Sequence, residues 1–192
     1  MKRKIILAST SPKRKELLLK TGLKFEVASS DYEEDMTLKL IPAELAKFLS
    51  KGKAEAVANK YRDAIILAAD TFICFKGEII GKPHTEDRAY ISLRKLSGQT
   101  HSVFTGYTII DTKNQKTISK AIETKITFKK LSDELIWHYV KNGNPLKYAG
   151  AYTLGDVTDI FLEKIEGDYG NVIGLPVTDV LVSLKEFGVE IA

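Results

Sequence analysis

Residues 5 to 14 read Ile5-Ile6-Leu7-Ala8-Ser9-Thr10-Ser11-Pro12-Lys13-Arg14. The first four form a short apolar run, the pattern of a buried strand. Ser11 suits a helix N-cap, where its oxygen accepts a free amide of the first turn. Pro12 suits the first helical position, where a missing N–H costs nothing. A strand therefore passes directly into a helix, which is how an α/β fold begins. Lys13 and Arg14 fall in the first helical turn, where the positive end of the helix dipole disfavours cations. Two cations, hydroxyls and free amides gathered at one place point to an anion, and phosphate is the usual one.

Outward from this stretch the periodicity alternates. A strand over Lys4–Ala8 leads into a helix over Pro12–Thr21, closed by Gly22. A second strand is expected near Phe25–Ser29, followed by the acidic run Asp31-Tyr32-Glu33-Glu34-Asp35. A second helix runs from Pro42 to about Tyr61, and Ala64–Ala69 reads as a strand buried on both faces. Lys76-Gly77 reads as a hairpin turn into Glu78–Ile80, with a helix over Thr85–Leu96 beyond it. Alternating strands follow over His101–Asp111 and Thr117–Phe128, and Ser132 caps a fourth helix. A glycine-rich segment, Asn142–Gly155, precedes a strand at Ile160–Lys164, and a last helix covers Val177–Phe187. The expected fold is α/β with a mixed sheet, parallel early and antiparallel later. No repeat or linker divides the 192 residues, so a single domain over 1–192 is expected.

Composition narrows the function. The formal charge of +4 is spread along the chain apart from Lys2-Arg3-Lys4, so a small anion fits better than a nucleic acid. No segment approaches a membrane span, and the first apolar run is too short for a signal peptide. The one cysteine, Cys74, lies in the apolar run Phe72–Phe75 and reads as core; a cytoplasmic location fits this usage. His84, His101 and His138 lack metal-ligand spacing. There is no G-x-x-x-x-G-K-[ST], H-E-x-x-H or G-x-S-x-G.

What remains is carboxylates, cations and a helix N-terminus, a set suited to divalent-metal and phosphoanhydride chemistry. Asp70 and Thr71 follow the buried strand, at the end of a strand where α/β sheets bind ligands. Lys53 falls inside the apolar arc formed by Leu45, Ala46, Phe48, Leu49, Gly52, Ala56 and Val57, so its ammonium must snorkel out or meet an anion. Lys82, in Gly81-Lys82-Pro83, is a surface lysine or an aimed one. Glu33 and Glu34 are a solvated acidic cluster or ligands.

In order along the chain stand Leu7–Arg14, Glu33-Glu34, Lys53-Ala54, Ala69-Asp70-Thr71 and Gly81-Lys82-Pro83. Leu96-Ser97-Gly98, His101–Thr105, Ala149-Gly150-Ala151-Tyr152, Glu166–Tyr169 and Asn171–Pro176 follow. With these motifs over nearly its full length, the chain resembles the Maf family of nucleoside triphosphate pyrophosphatases, nearer the branch acting on dTTP and UTP. The resemblance implies a two-lobed, inosine-triphosphatase-like fold, a central mixed sheet flanked by helices, and an active-site cleft between lobes. It implies hydrolysis of a nucleoside triphosphate to monophosphate and pyrophosphate with Mg²⁺ or Mn²⁺. A house-cleaning role and a link to restrained cell division come with it, and family members often form homodimers. By the family pattern, Asp70 is the acid/base residue acting on water, and Glu34 with Asp70 holds the metal. Ser9, Arg14, Lys53 and Lys82 hold the triphosphate, Ser11 supports the loop, and Lys13 and Thr71 belong to the substrate-binding set.

Two positions depart from the pattern. The first helical cation is usually arginine in the dTTP/UTP branch, and Lys13 lacks that planar fork. A glutamine that helps read the base is replaced by Gly155, which has no side chain for the task. Pyrimidine triphosphates are the expected substrates, with base preference relaxed or altered. The alternative is a nucleotide-binding regulator of septum formation without turnover.

Overall fold

The computed structural model describes residues 3–33, 35–36, 38–155 and 158–190. Seven strands form one mixed sheet: β1 (Lys4–Leu7), β2 (Glu26–Val27), β3 (Ala64–Phe75), β4 (Glu78–Ile80), β5 (Thr100–Asp111), β6 (Thr117–Phe128) and β7 (Leu162–Glu166). Their order is β2-β1-β3-β5-β6-β7, with β4 paired to β3. β1 runs parallel to β2 and β3, whereas β3–β4 and β6–β7 are antiparallel. The helices are α1 (Pro12–Leu19), α2 (Pro42–Ala58), α3 (Glu86–Leu96), α4 (Asp133–Asn142), α5 (Thr158–Phe161), α6 (Tyr169–Ile173) and α7 (Val177–Lys185). The mixed α/β expectation holds.

The chain divides into two compact units: residues 1–71, 105–122 and 170–192 form the first, and residues 72–104 and 123–169 the second. In the first unit, successive side chains of β1 and β3 point to opposite faces of the sheet. Ile5, Leu7, Ile65, Leu67 and Ala69 join Leu18 of α1 and Val180 and Leu184 of α7 in one core. Ile6, Ala8, Ala64, Ile66 and Ala68 join Ala54 and Val57 of α2 in the other. Both faces are covered, so these strands read as unbroken apolar runs. Ser50 of α2 and Thr108 of β5 share a buried hydrogen bond of 2.9 Å that fastens the helix to the sheet. Arg3 forks onto Asp111 at the end of β5, which also accepts the amides of Lys113 and Asn114. The Arg3 bond holds the Asp111 carboxyl well below the usual carboxylate range.

In the second unit, the β3–β4 hairpin turns at Lys76-Gly77, both with positive φ, as a tight turn requires. Cys74 is buried and its thiol is pushed up by that burial, which fits a core residue. α3 and α4 lie together through the Tyr90–Trp137 stack, with ring centroids 4.7 Å apart. Beside them sits an aromatic cluster of His101, Phe128, Tyr139, Tyr152 and Phe161. His101 Nε2 and the Tyr152 hydroxyl are 2.6 Å apart. Burial lowers the His101 pKa to about 4. Protonation would bury a second N–H without an acceptor, because Nδ1 has no partner among the described residues.

This histidine sets an acid limit on stability. The unfolded imidazole takes a proton near its ordinary value of about 6.5, while the folded one stays neutral to about 4. The unfolded state therefore binds more protons across that window, and stability falls as the pH drops through it. The expected loss is on the order of 3 kcal/mol between pH 6.5 and 4. His101→Gln keeps a polar partner for Tyr152 and should flatten this part of the curve. Urea unfolding of both proteins at several pH values measures the difference; parallel curves would contradict it.

Several elements differ from expectation. β3 was expected to stop at Ala69 but continues through Asp70 and Thr71 to Phe75. Ile160 and Phe161 are helical, and β7 starts at Leu162. α6 was not anticipated, being only five residues long.

Candidate active site

The alternation that builds the first unit also decides where its polar side chains go. Ala64, Ile66 and Ala68 face α2, so Asp70, two residues further on, faces α2 as well. Ile65, Leu67 and Ala69 face α1 and α7, and so does Thr71. Adjacent residues of one strand thus serve opposite faces.

On the α2 face, Asp70 is 5 % exposed. Lys53 Nζ donates to its Oδ1. The buried residues of α2 are Leu45, Ala46, Leu49, Ser50, Ala54 and Val57, which puts Lys53 in the middle of the stripe. This corrects the expected arc, for Phe48 lies outside it and is 46 % exposed. Lys53 has not snorkelled to solvent; it meets an anion. An ion pair at this depth costs desolvation and is weak evidence for stability. A charged pair at the heart of a helix–sheet contact is better evidence of a working site.

On the α1 face, Ser11 caps α1, accepting the Arg14 amide at 3.5 Å, while its own amide donates to Ser9 Oγ at 3.3 Å. The Arg14 guanidinium folds back over this turn. Its Nε donates to the Gly174 carbonyl at 2.9 Å, Nη1 to Ser9 Oγ at 3.2 Å and Nη2 to Thr71 Oγ1 at 3.1 Å. Thr105 Oγ1 donates to the Asn171 carbonyl at 2.8 Å. Thr71 Oγ1 lies 2.9 Å from Thr105 Oγ1, where either hydroxyl can donate, and 3.4 Å from the Gly174 carbonyl. The result is one network in which Arg14, Thr71 and Thr105 are linked to each other and to the Gly174 and Asn171 carbonyls. These acceptors are neutral hydroxyls and a carbonyl, and they orient the guanidinium. Lys13 stands half-buried in the same helical turn.

The first unit therefore brings together Ser9, Ser11, Arg14 and Thr71 in one network and Lys53 with Asp70 in a pair. Asp70 does not end its strand; it lies inside β3. Lys82 and Gly155 belong to the second unit. Lys82 is exposed in the segment after β4, where the Gly81 carbonyl accepts the Gly150 amide at 3.0 Å. Gly155 is exposed with φ +103°, and a Cβ there would meet nothing within 4 Å. Glu34 lies outside the described residues. Among the described residues, no group of three or more His, Cys, Asp and Glu is placed to hold a metal ion.

A family model described as "Maf-like protein" matches residues 4–187. The chain belongs to the Maf family. It is 45 % identical over 190 residues to the dTTP/UTP pyrophosphatase of Thermoanaerobacter sp. (strain X514), covering 98 % of this chain and 99 % of that one. It is 42 % identical over 185 residues to the protein of that name from Carboxydothermus hydrogenoformans, covering 96 % and 99 %. A Bacillus cereus (strain B4264) protein of the same name is 41 % identical over 189 residues, covering 98 % of each. Among solved structures, the Staphylococcus aureus Ham1 protein matches with a TM-score of 0.48 and 13 % identity, over 66 % of this chain and 72 % of that one, a likeness too distant to carry an argument.

The Maf motifs quoted from the sequence include Thr105, Asn171 and Gly174, but the residues alone suggested no role for them. Thr105 shares the β5 face of Tyr107 and Ile109, where a hydroxyl interrupts an apolar register. Gly174 has φ +125°, a conformation that requires glycine and aims its carbonyl at Arg14.

Proposed function

We propose that this Maf-family chain hydrolyses a pyrimidine nucleoside triphosphate, dTTP or UTP, to the monophosphate and pyrophosphate. The observation that carries the reading is the buried Asp70 carboxylate held by Lys53 within a fold whose relatives are named dTTP/UTP pyrophosphatases. Asp70 takes a proton from a water whose oxygen bonds to the α-phosphorus. The bond from that phosphorus to the α,β-bridging oxygen breaks, and pyrophosphate leaves with the electron pair. Lys53 fixes the carboxylate that receives the proton. Arg14, oriented by Ser9, Thr71 and Gly174, meets the charge that develops on phosphate oxygens, and preorganised groups of this kind carry most of a rate enhancement. The Ser11-capped start of α1 and Lys13 add positive potential. Lys82 is assigned to the triphosphate as well, and Gly155 to the base-facing position, where the missing side chain leaves pyrimidine selection relaxed.

The reading includes a divalent cation, for which the buried Asp70 carboxylate is one donor of the right chemistry. Mg²⁺ keeps several waters and binds through one or two carboxylates together with substrate phosphates. Asp70 supplies one such carboxylate, and Glu34 is assigned as the other. The ion would neutralise charge on the departing pyrophosphate. Removal of unwanted nucleotides and restraint of division are the roles this chemistry would serve, in the cytoplasm and with a homodimer as the assembly to test.

A product assay tests the reading. Purified protein is given each standard nucleoside triphosphate in turn with Mg²⁺ or Mn²⁺. UTP and dTTP should lead the kcat/KM ranking and yield pyrophosphate. A ranking led by a purine triphosphate would overturn the substrate, and release of orthophosphate would overturn the reaction. Tight binding without turnover would instead support a nucleotide-binding regulator.

A further inference from the structure

Gly52 is a glycine inside the 17-residue helix α2, one residue before Lys53. Alanine would be the better helix former there, so the glycine asks for an explanation. It is not needed for backbone freedom, because no positive φ occurs at Gly52. It is needed for space. A Cβ built on Gly52 would lie 2.3 Å from Tyr32 Cε2, 2.4 Å from Cζ and 2.9 Å from Cδ2. The Tyr32 ring occupies the place where a side chain would stand.

Tyr32 belongs to the segment that crosses beside α2 before the helix begins. Its amide donates to Ser30 Oγ at 3.3 Å, and the neighbouring Asp31 pairs with Lys60 just beyond the helix at 3.1 Å. The ion pair is exposed on both sides and weak. The seat of the ring on Gly52 is a more specific fastening than that ion pair. Consecutive Cα atoms are about 3.8 Å apart, so the ring rests within one residue of the backbone that carries Lys53. A ring with two rotatable bonds is a stiff wedge at low entropic cost.

We propose that Tyr32 is a positioning residue for substrate binding: its ring, seated on Gly52, fixes the segment beside the Lys53 turn of α2 and so holds the Lys53–Asp70 pair in register for an incoming triphosphate. This rests on the pyrophosphatase reading. The atoms against Gly52 belong to the ring. Tyr32→Ala removes the wedge. Gly52→Ala leaves it but fills its seat. Both variants act on one contact.

The test compares wild type, Tyr32→Phe, Tyr32→Ala, Gly52→Ala and the double variant Tyr32→Ala/Gly52→Ala as full chains. KM and kcat for UTP are measured with Mg²⁺, UTP affinity by calorimetry, and Tm for each. Tyr32→Phe keeps the ring on Gly52 and should stay closer to wild type than Tyr32→Ala. Tyr32→Ala and Gly52→Ala should each raise KM and weaken UTP binding about tenfold, and kcat should fall with them because the same pair supplies the base. The double variant should be no worse than the poorer single one, since residues sharing a contact are non-additive. A Tyr32→Ala protein with wild-type KM and affinity overturns the proposal, as does a multiplied loss in the double variant. A lowered Tm with unchanged KM would make the contact merely structural and overturn it too. If wild type binds UTP without turnover, the pyrophosphatase reading fails while the affinities still decide the role of Tyr32. If wild type does not bind UTP, both fail.

Discussion

Asp70→Asn is expected to lower kcat for UTP hydrolysis by about 10³-fold, within the range assigned to a positioned general base. The asparagine is the same size and its Oδ1 can still accept from Lys53 Nζ, so the helix–sheet contact survives. It cannot take a proton from water. Stability should fall modestly, by about 1 kcal/mol, because the Lys53 stem can shift its ammonium outward. The measurement is steady-state pyrophosphate release beside a urea unfolding curve. A folded variant retaining more than a tenth of wild-type kcat would remove Asp70 from the chemistry. A variant that unfolds would leave the kinetics to Asp70→Glu, which keeps a carboxylate one methylene further out and should retain measurable turnover.

Lys53→Met carries the second large effect, on stability. It leaves a carboxylate that is 5 % exposed without its ammonium, and breaking a buried pair on one side costs about 3–5 kcal/mol. Removing both charges at once, in Lys53→Met with Asp70→Asn, should recover most of that loss, since replacing a whole buried pair is close to neutral. The two singles and the double form a thermodynamic cycle read by urea unfolding. Equal destabilisation in the Lys53 single variant and the double would show that the methionine, not the stranded charge, is at fault.

How far these side chains were legible in the sequence depends on the distance over which each is held. Lys53 stood out because a cation inside an apolar helical arc violates the local pattern, and the pattern needs only seventeen residues to be seen. The Ser11–Pro12 helix start was equally local and fell where expected. The end of β3 was misjudged for a physical reason. An aspartate after six apolar residues looks like a strand exit, because an unpaired carboxylate could not stay inside a sheet. Here Lys53 supplies its partner from another element, and the strand goes on for five further residues beyond Asp70. The start of β7 was misplaced because Ile160-Phe161 is apolar in either conformation, and no periodicity separates two residues of helix from two of strand. The orientation of Arg14 was beyond local reading altogether: one acceptor, Gly174, lies 160 positions away. The family motifs named both segments, but only the sheet shows that one aims the other.

That separation has a consequence for the protein as it is made. The first unit is assembled from three stretches of chain, and residues 170–192 leave the ribosome later than the other two. A nascent chain halted at residue 168 already has α1, its serine cap, Lys53 and Asp70. It lacks the Asn171 and Gly174 carbonyls on which the Thr105 and Arg14 bonds end. Its guanidinium keeps Ser9 and Thr71 but loses the Gly174 acceptor that completes its aim. A product terminated there has the Asp70 base of the site without the full aim of the Arg14 guanidinium, so efficient nucleotide hydrolysis waits on residues 170–174.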